Sequence, residues 1–329
     1  MNRRRFIGRF GASFLAAPLL AAAQHAGKIY RIGVLEVVAA AANTANLDAF
    51  RGGLRELGYV EGLNVVIDYR SADGRPERFG DLAKELVRLN VDLIVTRGEQ
   101  AALAAKRATT TIPIVMASSG DPAVSGIVTS LARPGANISG FHTMAPVEVA
   151  GRRLAFLKEI VPGLARVAVL WNPGDIFYSP PVLREIEKVA RALGIQLKNF
   201  EAQRSWDLER AFEAILLAQV DAFIAVEEYL TITHRAEIVT FAAMSRLPAV
   251  YGLREFVDDG GLMAYGTDRR DLFRRSAHYV HKIFNGVRPG SLPVEAPTKF
   301  ELVINLKTAK TLGLTIPSSL LRRADDLVD

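Results

Sequence analysis

The chain has no cysteine. That excludes a disulfide framework, a thiolate metal site, a thiol nucleophile and a lipid-modified N-terminal cysteine. Aromatic residues are scarce, at 8%, against a hydrophobic content of 50%, so any core must be largely aliphatic. No apolar run beyond residue 23 is long enough to span a bilayer. No G-x-G-x-x-G follows the first apolar run, and no G-x-x-x-x-G-K-[ST] occurs, which argues against a dinucleotide or nucleoside-triphosphate cradle. The G-x-S-x-G elbow is missing, and Ser118, Ser119 and Ser125 carry no signature of an activated nucleophile. His278 and His281 stand three apart with no carboxylate between them, which reads as a helix face rather than a metal pair. No cofactor and no metal are expected.

What is present begins with charge. The net charge is +6, but Arg3, Arg4, Arg5 and Arg9 precede any acidic residue, and setting them aside leaves +2. Nucleic acid is therefore not an expected partner. Residues 1–23 run from a basic start through the apolar stretch 10–20 to Ala21-Ala22-Ala23, an export signal with an A-x-A cleavage pattern before Gln24. Arg3-Arg4-x-Phe6-Ile7 also resembles a twin-arginine signal. The expected location is the periplasm, reached through export machinery.

The stretch 91–122 shows the building unit. Residues 91–95 are a short β-branched run suited to a strand buried on both faces. Residues 100–108 are rich in Ala, Leu and Lys, which favour helix, and residues 112–116 are a second buried strand. Asp121-Pro122 reads as a helix N-cap with proline at the first helical position. Ahead of this unit come a strand at 28–35, a helix at 43–57 striped by Leu47, Phe50, Leu54 and Leu57, a strand at 64–69 and a helix at 75–89. The second half repeats the first at an offset near 135: Arg166-Val167-Ala168-Val169-Leu170 follows the pattern of Arg31-Ile32-Gly33-Val34-Leu35. Val220-Asp221-Ala222-Phe223-Ile224 likewise follows Val91-Asp92-Leu93-Ile94-Val95. The fold class is α/β, with two similar doubly wound parallel-sheet lobes. A helix at 268–284, a proline-bearing connector at 288–297, a strand at 300–304 and a short helix capped by Asn305 complete the chain.

Several stretches resemble the ABC-transporter substrate-binding family that includes tryptophan- and tyrosine-type binding proteins. They are Phe50-Arg51-Gly52-Gly53-Leu54-Arg55-Glu56-Leu57-Gly58-Tyr59, Leu131-Ala132-Arg133-Pro134-Gly135-Ala136-Asn137 and Val169-Leu170-Trp171-Asn172-Pro173. Glu255-Phe256-Val257-Asp258-Asp259-Gly260-Gly261 and Pro297-Thr298-Lys299-Phe300-Glu301-Leu302-Val303-Ile304-Asn305 complete the set. The resemblance implies a type I periplasmic binding fold whose lobes are joined by a three-strand hinge, with crossings near 141–143, 265–268 and 292–299. Lobe 1 is then 28–141 plus 267–295, and lobe 2 is 142–266 plus 296–329. The implied function is periplasmic capture of a small organic ligand, an aromatic amino acid or another carboxylate, by hinge closure for an ABC importer. The implied partner is a transporter permease, and a monomer is expected. Similar proteins carry Ser- and Gly-rich residues after the first strand; here the loop is Glu36-Val37-Val38-Ala39-Ala40-Ala41-Ala42-Asn43. An exported doubly wound enzyme and a ligand-sensing module stay open as alternatives.

Ligands of open α/β sheets sit at the carboxyl ends of the strands. In lobe 1 this selects Glu36, Thr96, Gly98, Glu99, Gln100, Ser118, Ser119 and Asp121 as ligand-binding candidates. The helix start at 96–100 offers free N–H groups to a carboxylate, and Ser118 and Ser119 could add hydroxyl donors. Alternatively, Ser119 and Asp121 cap the following helix. In lobe 2 the candidates are Trp171, Asn172, Glu227 or Glu228, Tyr229, Tyr251 and Glu255. A glutamate there suits an ammonium group, and Trp171, Tyr229 and Tyr251 suit clamping of a flat ligand, or else packing. Asn172-Pro173-Gly174-Asp175 reads equally as a tight turn.

Overall fold

The computed structural model describes residues 28–176 and 178–329; the export signal expected over 1–23 lies outside the described residues. The first sheet is built from β1 (Tyr30–Glu36), β2 (Val65–Ser71), β3 (Leu93–Arg97), β4 (Ile114–Ser118) and β5 (Ile138–Phe141). Helices α1 (Thr44–Glu56), α2 (Phe79–Arg88) and α3 (Glu99–Ala108) connect these strands. After β5 the chain passes through α4 (Glu148–Ile160) into a second sheet. That sheet holds β6 (Arg166–Trp171), β7 (Gln196–Glu201), β8 (Ala222–Ala225), β9 (Ala249–Tyr251) and β10 (Met263–Thr267). Its connecting helices are α5 (Ser179–Leu193), α6 (Asp207–Leu217), α7 (Tyr229–Thr233), α8 (Arg235–Met244) and α9 (Arg254–Asp258). The chain returns through α10 (Arg269–Phe284) to β11 (Val294–Glu295) in the first sheet. It then crosses again to β12 (Phe300–Asn305), α11 (Leu306–Thr311), α12 (Ser318–Leu321) and β13 (Asp326–Val328).

The strand orders are β11-β5-β4-β3-β1-β2 and β13-β12-β10-β9-β8-β6-β7. Both contain the same doubly wound order, read as β2-β1-β3-β4-β5 and as β7-β6-β8-β9-β10. All pairings are parallel except β10 with β12. Alternate residues serve the two faces of each sheet, because strand side chains have a period of two. Ile32, Val34, Leu93, Val95 and Val115 pack with α1 and α10, while Leu35, Ile94, Ile114 and Met116 pack with α2 and α3. In the second sheet Val167, Val169 and Ile224 face α4 and α5, while Leu170, Phe223 and Tyr251 face α6 and α8. β3 and β4 are buried throughout, which is why they read as continuous apolar runs. Helix α10 closes on α1 at Gly53, where a Cβ would lie 2.5 Å from the Arg274 carbonyl oxygen, so any larger residue would push the helices apart.

Two expectations fail locally. No helix follows Asp121: its carboxylate accepts hydrogen bonds from the N–H groups of Ala123 and Val124 at 2.9 and 3.1 Å and caps a turn. Gly126 then takes a positive φ of 69°, which ends any helical run. The helix expected from 75 begins as a 3-10 turn at Pro76, and α2 starts only at Phe79. The chain ends in a strand, β13, on the edge of the second sheet, which the sequence did not assign.

Between the sheets the chain crosses at 142–147, at Asp268 and at 296–299. The Asp268 N–H donates to the Lys299 carbonyl at 3.1 Å, tying two crossings together. The remaining crossing is fixed to the first lobe where the Thr143 N–H and hydroxyl donate to the Ser119 carbonyl at 2.7 and 2.8 Å. Among the described residues no helix is long and apolar enough to cross a membrane.

Candidate functional site

The carboxyl ends of both sheets face a shared cavity of about 1160 Å³. Its first wall comes from the loop 74–77, the β3–α3 junction and the end of β4; its second comes from loops after β6, β7, β8 and β9. Thr143, Thr267 and Arg269, at the crossings, form the floor. Of the residues selected from sequence, Gly98, Glu99, Gln100, Ser118, Ser119, Asn172, Glu227, Glu228 and Tyr229 line this space, and Glu36, Thr96, Asp121, Trp171, Tyr251 and Glu255 do not. A shallower hollow of about 520 Å³ at the crossings shares none of these residues, and its Arg270 and Glu301 are paired at 2.7 Å.

The first wall starts at Gly98, whose φ of 86° lets the chain turn from strand to helix and whose N–H donates to the Ser118 carbonyl at 2.7 Å. The following residues carry the N–H groups that a helix start leaves without intrahelical acceptors. Glu99 is half-buried, and burial pushes its carboxyl above the usual range. Among the described residues no lysine, arginine or histidine forms an ion pair with it. It lies over Gly120, where a Cβ would sit 2.6 Å from its Oε2. Ser118 and Ser119 are buried, and among the described residues the Ser119 hydroxyl has no hydrogen-bond partner. The Nε of Arg269 is in the same position.

Glu36 is a correction. It is fully buried and turned into lobe 1, where its carboxylate accepts from the Val37 N–H at 3.0 Å and pairs with Arg97 at 3.2 Å. Burial, only partly offset by Arg97, pushes its carboxyl upward. A register shift between Thr96 and Arg97 in the β3–β4 pairing marks where the strand is re-aimed. Thr96 itself stays in the sheet, fully buried. Glu255 lies behind the cavity floor and meets two lobe-1 arginines, Arg97 at 3.5 Å and Arg269 at 3.4 Å. Burial alone would raise its carboxyl; the two guanidinium groups outweigh that and hold it at about 2.

The second wall also departs from expectation. Glu227 lines the cavity but is not free for an ammonium group: Arg153 holds it with two bonds of 2.5 and 2.6 Å, and the Tyr178 hydroxyl donates to it. Glu228 caps α7, accepting from the Leu230 and Thr231 N–H groups at 2.9 and 2.8 Å, and Asn172 donates to it at 3.0 Å. The Asn172 Oδ1 accepts from the Gly174 N–H, as a tight turn requires. The Tyr229 hydroxyl reaches across to donate to the Gly74 carbonyl of the opposite lobe, so it joins the lobes at the mouth instead of clamping. Tyr251 is a core residue with no exposure, stacked on Phe256 with ring centroids 4.6 Å apart. Trp171 packs half-buried against the α4–α5 side of the sheet.

Residues missed from sequence include Arg153, Tyr178, Trp206 and Arg269. Arg153 and Arg269 occupy helices rich in charge, where an arginine reads as solvated. The signal for Arg269 was its place directly after an expected crossing.

Two lobes of one strand order, three crossings and a cavity between facing switch points define a two-lobed ligand-capturing protein. The chain belongs to the ABC transporter substrate binding protein family, which it matches over residues 31–328. That is a family of substrate-binding proteins rather than of enzymes. The chain is 24% identical over 283 residues to a tyrosine-binding protein of Clostridioides difficile (strain R20291), covering 86% of this chain and 81% of that one. A conserved domain protein of Vibrio cholerae has a structure with TM-score 0.78 at 30% identity, covering 91% of this chain and 100% of that one. An ABC domain from Streptococcus pneumoniae solved with L-Trp has TM-score 0.78 at 24% identity, covering 91% and 99%. The fold is the type I periplasmic binding fold.

Proposed function

We propose that this protein captures a free amino acid between its lobes and delivers it to the permease of an ABC importer. The observation that carries the reading is one cavity wall with two complementary halves. Glu99 supplies a carboxylate without a cation among the described residues, suited to an α-ammonium group. Ser118, the unpartnered Ser119 hydroxyl and the start of α3 supply donors suited to an α-carboxylate. Buried polar atoms without partners are costly, and a ligand carboxylate relieves that cost. The names of the relatives, a tyrosine-binding protein and a domain solved with L-Trp, support the same class.

In this reading the lobes are 28–141 plus 267–295 and 142–266 plus 296–329, and they close about the three crossings as the ligand adds contacts to both. The protein is exported through its N-terminal signal by the twin-arginine route and acts in the periplasm as a monomer. Of the second-wall glutamates, Glu227 is held by Arg153 and Glu228 caps a helix, so neither stands free for acid–base work.

A thermal-shift screen of amino acids, purines, sugars and aromatic acids tests the class, since binding raises stability by mass action. Amino acids should give the largest shifts, and a response confined to sugars or purines would reject the reading. By calorimetry, Glu99→Gln should weaken binding roughly tenfold, and Ser118→Ala should cost about 1–2 kcal/mol. Unchanged affinity in both, with the fold intact, removes this wall as the head-group site.

A further inference from the structure

Among the described residues, the cavity wall carries one aromatic ring that is neither buried nor held by a hydrogen bond. Trp206, just ahead of α6, is 69% exposed and lines the cavity. The other aromatic lining residues are engaged: the Tyr178 hydroxyl by Glu227, the Tyr229 hydroxyl by Gly74, and Phe79 by the lobe-1 core. The Arg204 guanidinium carbon lies 5.1 Å from the Trp206 ring centroid, so a cation covers one face of the ring. The loop that presents both is fixed. The Asp207 carboxylate accepts from the N–H groups of Gln203 and Arg204 at 3.1 and 3.0 Å, and the Asp207 N–H donates to the Arg204 carbonyl at 2.9 Å.

We propose that Trp206, backed by Arg204, selects the side chain of the ligand by stacking a flat aromatic ring. The inference rests on the amino-acid reading above. An indole is a rigid ring with two rotatable bonds, so stacking costs little ordering, and offset ring pairs gain beyond simple area burial. Pro76 and Ile176 also line the cavity and give it apolar surface. An aliphatic side chain finds that surface but gains no ring stacking, so discrimination comes from Trp206.

Calorimetry on the mature chain, with tryptophan, tyrosine, leucine and isoleucine as ligands, tests this for wild type, Trp206→Ala and Trp206→Phe. Trp206→Ala should lose at least tenfold in affinity for tryptophan and tyrosine and less than twofold for leucine and isoleucine; Trp206→Phe should recover most of the loss. Equal losses for all four would assign Trp206 to closure in general and overturn the proposal. Unchanged affinities would also overturn it, leaving the exposed indole for contact with another protein. If wild type binds none of the four, the amino-acid reading falls and this inference with it. A wild type that binds while the variants do not discriminate defeats the inference alone.

Discussion

Arg153→Ala should lower folding stability by about 3–5 kcal/mol, the cost of leaving a buried charge without its partner. Arg153 is 1% exposed, and besides its two bonds to Glu227 it donates through Nε to the Tyr265 carbonyl at 2.7 Å. The Glu227 carboxylate is seated against bare backbone at Gly252, where a Cβ would lie 2.1 Å from its carboxyl carbon. The arginine thus ties α4 to the ends of β8 and β10. Urea unfolding of the single variants and of Arg153→Met with Glu227→Met checks the argument. The double replacement should be markedly less damaging than the single ones summed, since neither charge is then stranded. A loss below about 1 kcal/mol for Arg153→Ala would mean the pair is solvated.

Glu255→Ala should open the lobes and weaken ligand binding by roughly two orders of magnitude, about 2.7 kcal/mol. Glu255 is the lobe-2 carboxylate set between Arg97 and Arg269 of lobe 1. Without it, Arg97 and Arg269, which repel each other, share the single carboxylate of Glu36. Separation of the lobes relieves that repulsion by admitting water. Small-angle scattering should show a larger radius of gyration for the variant, and identical curves would remove Glu255 as a lobe-to-lobe contact. The pH dependence follows from the same geometry. The Glu255 carboxyl, held at about 2 against an ordinary 4.5, contributes stability that is fully present above 4.5 and is lost as pH falls toward 2. Glu36, shifted upward by burial, works in the opposite sense: its contribution is fully present below 4.5 and is lost as pH rises through its folded value.

The architecture was legible because strand burial on two faces leaves a plain record. Residues 91–95 and 220–224 repeat a pattern that only a parallel sheet covered by helices requires, and both fall in the third strand of their sheet order. The lobe-1 wall was legible for a related reason: strand–loop–helix junctions such as Thr96-Arg97-Gly98-Glu99 fix where backbone N–H groups are exposed. Side-chain direction was not legible. Tyr251 and Gly252 are neighbours at one strand end, yet the first turns into the core on Phe256 and the second lines the cavity, since successive residues face opposite sides. Nor does composition distinguish a glutamate awaiting a ligand from one already bound. Glu227 is held by Arg153, 74 positions away in the chain, and by the Tyr178 hydroxyl, while Glu99 pairs with no cation among the described residues.

The return of the chain through α10 and β11 has a consequence for biogenesis. Lobe 1 is discontinuous: Leu272, Phe273, Ala277, Tyr279 and Val280 complete the core begun by β1, β3 and α1. A nascent chain that has reached residue 266 has made every other strand of its first sheet but leaves the α1 face of that core open to water. Lobe 2 waits likewise for β12 and β13. Neither half can finish folding before the chain has passed residue 266, and the first sheet is completed at β11 before the second receives β12 and β13.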